Sequence, residues 1–283
     1  MKEGVFHVQM QFAQIIALLL TGIGVGFASG LLGVGGCFIM VPIQFWVLKS
    51  IGVDPTIAIR IAFGTNLLVV LPTALSGAMT HNKKNAVIWK AAFTLGIMGA
   101  IGAFIGGVIV SHLPGNILKI AFGIAVLLGA IRMLTAKPPK INEEPVDNIW
   151  LYILWGLLLG VVSGIIGIGG GVLMIPVMVS FMKFKMHEAV GTSTALMIFT
   201  AIGGSLSYLI NGLGVGGLPP YSLGYLNFLQ FLLLAGTSVP MATVGAKAAH
   251  KLPAKQLKYV FVIVMFYMGL KMIGVFEYLH IPL

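Results

Sequence analysis

The sequence predicts an all-α polytopic membrane protein of two inverted-topology repeats, each of about five helical segments including a short or broken one after a Gly-x-Gly-Gly motif. Three observations lead there. The chain is 58% hydrophobic and 8% charged, with a mean hydropathy of +1.04, too little polar surface to solubilise a globule of 283 residues. A glycine-rich stretch in its first quarter, Ser29 to Pro42, returns as Ser163 to Pro176 at a constant offset of 134 residues. Equivalent loops of the two copies then differ in charge, as loops on opposite sides of a membrane do.

A span takes ~20 apolar residues, and lipid admits only helices or closed barrels because both satisfy the backbone internally. Runs such as 12–30 and 149–166 show no period-two alternation, so they are helices. Lys2 followed by an apolar run resembles a signal peptide, but the glycine pattern of that run recurs from Gly156 to Gly164, so it belongs to the fold. The net charge of +10 is dispersed over short loops rather than gathered with aromatics on one face, which favours membrane topology over nucleic-acid binding. A single cysteine excludes an internal disulfide and a cysteine-based metal site.

The first half runs through apolar segments at about 12–30, 37–48, 57–80, 87–111 and 115–135, the second through 149–166, 171–182, 187–211, 224–250 and 254–277. Further matches support the duplication: Gly64-Thr65-Asn66 answers to Gly191-Thr192-Ser193, and Leu113-Pro114, Lys119 and Phe122 answer to Leu252-Pro253, Lys258 and Phe261. The domains are therefore a first repeat (1–136), a polar, proline-rich cytoplasmic linker (137–147) and a second repeat (148–283). The second segment of each half is too short to cross comfortably, since twelve residues cover ~18 Å of a ~30 Å core; each is a half-helix that re-enters or a steeply packed short span.

Charge orients the repeats. The loop from His81 to Lys90 is basic, whereas its counterpart from Asn211 to Tyr221 carries no charge. With the basic loop cytoplasmic, alternation puts 12 of the 17 Lys and Arg residues inside and leaves Lys2, Lys49, Arg60, Lys119 and Lys271 outside. That requires an odd number of crossings per half and both termini outside; a parallel duplication would put basic and neutral equivalents on one side. Trp46, Trp89, Trp150, Trp155 and Tyr221 read as interface anchors.

The doubled pattern, Gly-x-Gly-Gly with Pro five or six residues on and Gly-Thr-Asn/Ser in a later helix, resembles the TauE/SafE family of sulfite exporters. The likeness covers 22–90 and 156–210 strongly and the remaining helices weakly. It implies a multi-pass transporter of small sulfur-containing anions, most simply sulfite export by alternating access. An importer or channel for other small organic anions, such as sulfonates or sulfoacetate, is the alternative. Its setting would be a bacterial inner membrane. The implied partners are the bilayer and a small sulfite-like anion, with a homodimer allowed and no nucleic acid, metal or cofactor.

For such a solute, each glycine cluster ends one helix and begins a half-helix whose free N–H groups and positive dipole end face a shared site. The candidate substrate-binding residues are Gly33, Gly35, Gly36 and Cys37 from the first copy, Gly167, Gly169, Gly170 and Gly171 from the second, and Thr65, Asn66, Thr192 and Ser193 as side-chain donors. Ser29 and Ser163 are further donors. Two departures from internal symmetry face this site: Cys37 stands opposite Gly171, and Asn66 opposite Ser193. The competing structural readings are close packing through Gly26-x-x-x-Gly30 and Gly160-x-x-x-Gly164, and threonines bonded back to their own helix carbonyls. Arg60 sits where it could draw anions to the outer mouth; Arg132 and Lys271 read as snorkelling cations.

The acidic residues, Glu3, Asp54, Glu143, Glu144, Asp147, Glu188 and Glu277, fall in loops or at segment ends, so no carboxylate is placed for a proton or sodium relay. Anion exit is instead assisted by the inside-negative potential, at ~2.3 kcal/mol per charge per 100 mV. The six histidines are scattered without ligand spacing or a nucleophile partner, which argues against an enzyme.

Overall fold

The structure, a computed structural model, describes residues 12–32, 35–135, 146–248 and 254–278. The first half contains α1 (Phe12–Leu32), α2 (Cys37–Ser50), α3 (Pro55–Asn82), α4 (Trp89–Ser111) and α5 (Gly115–Thr135). The second contains α6 (Ile149–Ile166), α7 (Gly171–Ser180) and α8 (Met186–Asn211), a hairpin of β1 (Ser222–Leu223) and β2 (Leu226–Asn227), then α9 (Phe228–Ala248), α10 (Ala254–Ile273) and α11 (Val275–Tyr278). Seven of the described helices, α1, α3, α4, α5, α6, α8 and α9, are long and apolar enough to cross a membrane. The linker expected at 137–147 and Gly33 lie largely or wholly outside the described residues.

Local chemistry sets several boundaries. The Asp54 carboxylate accepts from Thr56 and Ile57 N–H and Pro55 opens α3, while the Asn148 side chain accepts from Trp150 and Leu151 N–H to start α6. The expected helix from residue 224 differs. Gly224 turns the chain at φ +57, Ser222 pairs with Asn227 and Leu223 with Leu226, and α9 begins only at Phe228. Gly274, at φ +90, likewise parts α10 from α11.

The short second helices turn back rather than cross. Gln14 of α1 donates to the Ser50 hydroxyl at the far end of α2 (2.7 Å), and Gly36 lies against Val25, so α2 runs back down along α1. At ~1.5 Å per residue, its 14 residues reach ~21 Å and the 10 of α7 ~15 Å.

Packing exchanges the halves. On α1, Gly22, Gly26 and Gly30 meet Leu234, Ser238 and Ala242 of α9; on α6, Gly156, Gly160 and Gly164 meet Leu95, Gly99 and Ala103 of α4. The two ladders match residue for residue under the repeat. Each glycine brings backbone against backbone, the close approach that gives membrane helices their dispersion contact. In both ladders the paired helices run parallel. The equivalent helices α3 and α8 run antiparallel, with Gly64 beside Tyr208, Gly204 beside Leu67 and Gly77 beside Thr194. So do α5 and α10, where Gly123 meets Ile273 and Gly269 meets Leu127.

In their most apolar windows α3 and α8 are 72% and 61% buried, against 33–44% for the other five candidate spans. They form the centre. Outward stripes such as Ile97, Ile101, Ile105 and Ile109 on α4 leave an apolar jacket that lipid, not water, solvates.

Candidate functional site

The two glycine loops meet beside the central pair α3 and α8. Gly35 and Gly36 have φ +75 and +61, Gly167, Gly169 and Gly170 +67, +78 and +95, the left-handed backbone expected of a sharp break. Gly35 faces the Ile168 carbonyl of the other loop and Met197 of α8, while Gly169 faces Val70 of α3, the repeat equivalent of Met197. All of these loop residues are buried.

In the second loop the carbonyls are spoken for by side chains. Tyr208 Oη donates to Gly164 O (2.9 Å), Asn66 Nδ2 to Gly167 O (2.5 Å) and Thr200 Oγ1 to Gly169 O (2.7 Å). Gly167 and Ile168 N–H close onto Ser163 O. The N–H groups of Gly169, Gly170 and Gly171 find no acceptor among the described residues, and they stand at the N-terminus of α7. Ser163 Oγ, fully buried, has no partner in the described structure and lies 3.8 Å from where a Gly170 Cβ would sit. Three amides and a hydroxyl with unused donors thus share one place, an arrangement complementary to a small oxyanion.

The other expected residues divide. Asn66 joins the site: its amide nitrogen holds Gly167 O, which fixes its orientation and leaves Oδ1 buried without a partner. Cys37 is the fully buried first residue of α2, and Gly171 opens α7 in the same way. Ser193 is buried on α8, and Ser29 near the end of α1. Thr65 and Thr192 each accept a long-range backbone contact. Thr65 Oγ1 accepts from Asn227 N–H (2.9 Å) just before α9, and Thr192 Oγ1 accepts from Ile88 N–H (3.0 Å) just before α4. Each threonine supports the start of the other half's fourth helix rather than bonding back to its own turn. Arg60 is a brace as well: its guanidinium donates to Tyr225 Oη and to Leu113 O, both at 3.0 Å.

Sequence reasoning passed over Gln44 and Gln230. Gln44 is fully buried in α2 with neither amide atom partnered, and Gln230, 1% exposed on α9, has an unpartnered Oε1. Gln230 N–H is capped by Asn227 Oδ1, one turn from the Thr65 contact. A glutamine inside an apolar run was the available signal, since an amide in lipid costs free energy unless it is bonded. The equivalents in the other half are Met178 and Ala91, so these amides break the internal symmetry.

The family model described as "Sulfite exporter TauE/SafE" matches residues 18–272. This chain belongs to the TauE/SafE sulfite exporter family. Similar TauE/SafE-type chains include a "Probable membrane transporter protein" of Methanocaldococcus jannaschii, 30% identical and covering 95% of this chain and 99% of that one. Another so named, from Haemophilus influenzae, is 28% identical over 92% and 98% of the two chains. The Bacillus subtilis relative YunE is 26% identical over 93% and 99%. No solved structure matches the chain. The TauE/SafE protein is accordingly a multi-pass membrane transporter.

Proposed function

We propose that the protein carries small sulfur-containing oxyanions, sulfite first, out of the cell, by alternating access around the two glycine loops. The observation that carries this reading is the set of free amides of Gly169, Gly170 and Gly171 beside the unpartnered Ser163 hydroxyl. Donors without a fixed cation hold an anion and still let it leave. The loops are buried, as suits a site closed to both membrane faces at once.

Antiparallel α3/α8 and α5/α10 pairs support an inverted-topology repeat, whose two halves rock about a shared centre. The ends of α2, α5 and α10 that carry Lys49, Lys119 and Lys271 face outward in this reading, and the protein resides in a bacterial inner membrane with both termini outside. It performs no covalent chemistry on its solute.

Flux of radiolabelled sulfite into proteoliposomes tests this directly. A carrier gives slow, saturable uptake that unlabelled sulfite competes and thiosulfate or sulfoacetate competes in part. Non-saturating flux with unitary currents would mean a channel, and absence of sulfite flux would end the sulfite assignment.

A further inference from the structure

Away from the central loops, α2, α5 and α10 enclose a half-open cavity of about 340 Å³. Its lining includes three lysines from three helices and both repeats: Lys49 in the last turn of α2, Lys119 near the start of α5 and Lys271 in the last turn of α10. Lys49 Nζ and Lys119 Nζ both sit over the Phe45 ring, 5.7 and 5.6 Å from its centroid, so two like charges share one aromatic ring. Lys271 Nζ lies 5.5 Å from the Tyr267 ring centroid and donates weakly to its hydroxyl at 3.3 Å. Among the described residues no carboxylate pairs with any of the three.

Snorkelling explains a single lysine at a helix end, not three that line one cavity. Three like charges around one half-open cavity repel one another unless an anion neutralises them, and such a basin draws that anion in. The internal repeat repeats the choice. The positions equivalent to Lys49, Lys119 and Lys271 in the other half are Lys183, Lys258 and Arg132, so all six are basic, although the sequences around them have diverged.

We propose that this cavity is a second oxyanion site, a basin that captures the soluble anion at one membrane face. Its volume holds a sulfite-sized ion with part of its hydration shell, at ~30 Å³ per water. Phe45 and Trp46 supply apolar wall. The same helix links the two sites. Lys49 lies in the last turn of α2, and Cys37 begins it beside Gly36, so ~18 Å of half-helix separate this lysine from the central loop. The charged site collects the ion and the uncharged site passes it on. The proposal rests on the carrier reading only for the identity of the transported ion.

The test compares the full-length protein with Lys49→Gln, Lys119→Gln, Lys271→Gln and the triple variant, in proteoliposomes of zwitterionic phosphatidylcholine and with added phosphatidylglycerol. At low salt the triple variant raises the KM for sulfite entering from the basin's face at least tenfold, while Vmax falls less than threefold. The gap closes in 0.5 M inert salt, about the condition under which exposed charges are screened within a few ångström. Single variants give intermediate KM values and serve if the triple variant fails to insert. An unchanged KM overturns the basin. A KM effect present only with phosphatidylglycerol, together with loss of bound phosphatidylglycerol in native mass spectrometry, makes it a lipid headgroup site and overturns it too. If the wild type moves no sulfite, the carrier reading fails by itself. Melting then decides the basin: sulfite and sulfate stabilise the wild type and not the triple variant if it stands, and both equally if it falls.

Discussion

Gly170→Ala isolates the chemistry of the central loop from its packing. Gly170 sits at φ +95, and a Cβ there would find no heavy atom closer than 3.8 Å. The substitution therefore costs backbone strain alone, about 1–3 kcal/mol. At Gly36, φ +61, a Cβ drives into Val25 Cγ1, which adds overpacking of about 1–3 kcal/mol. Melting of the solubilised protein should fall in the order wild type, Gly170→Ala, Gly36→Ala, and the double variant Val25→Ala/Gly36→Ala should recover toward Gly170→Ala. The new methyl at 170 stands beside Ser163 Oγ and the free amides, where the anion must approach. Sulfite at 100 times its Kd stabilises the wild type by ~2.7 kcal/mol. A tenfold loss of affinity, ~1.4 kcal/mol, halves that gain. An undiminished sulfite-dependent shift in Gly170→Ala, with native flux, would refute the amide site. Equal stability of the two alanine variants would refute the steric half of the reasoning.

The paired threonines give a second expectation. Thr65→Val strands the buried Asn227 N–H and should cost about 1–3 kcal/mol, Thr192→Val less because the Ile88 contact is only partly buried, and neither should alter which anion competes for transport. On the ladders, Gly160→Leu puts side chain into the Gly99 backbone and should abolish membrane-integrated monomer in fluorescence size-exclusion chromatography, whereas Gly24→Leu, which meets nothing within 4 Å, should leave its yield unchanged. Asp147→Asn removes the Lys90 ion pair, but both side chains are more than half exposed (60% and 57%), so a shift in melting beyond that of a ~1 kcal/mol change would be unexpected. Finally, dissipating a pH gradient at clamped voltage should leave sulfite flux intact; its loss would establish proton coupling.

Part of this protein is written along the chain. Period, run length and paucity of charge fix helices in lipid, and the recurrence of Ser29–Pro42 at Ser163–Pro176 marks the two breaks, because a glycine cluster inside an apolar run has few other uses. The sequence could not say which helices of one repeat meet those of the other, since a glycine stripe announces a close partner without naming it. Only the packed structure assigns α9 to α1 and α4 to α6. It also decides what a polar side chain holds: Thr65 and Thr192 look only like ligands in the chain, yet their oxygens accept from N–H groups 162 and 104 residues away. Gln44 stands out in its apolar run, but it becomes an unpartnered amide only when neighbours remove water from it. Lys49, Lys119 and Lys271 are three separate helix-end cations until α2, α5 and α10 close around one cavity. Periodicity is local and survives in one dimension, whereas hydrogen-bond partners and enclosed space are properties of contacts between distant segments.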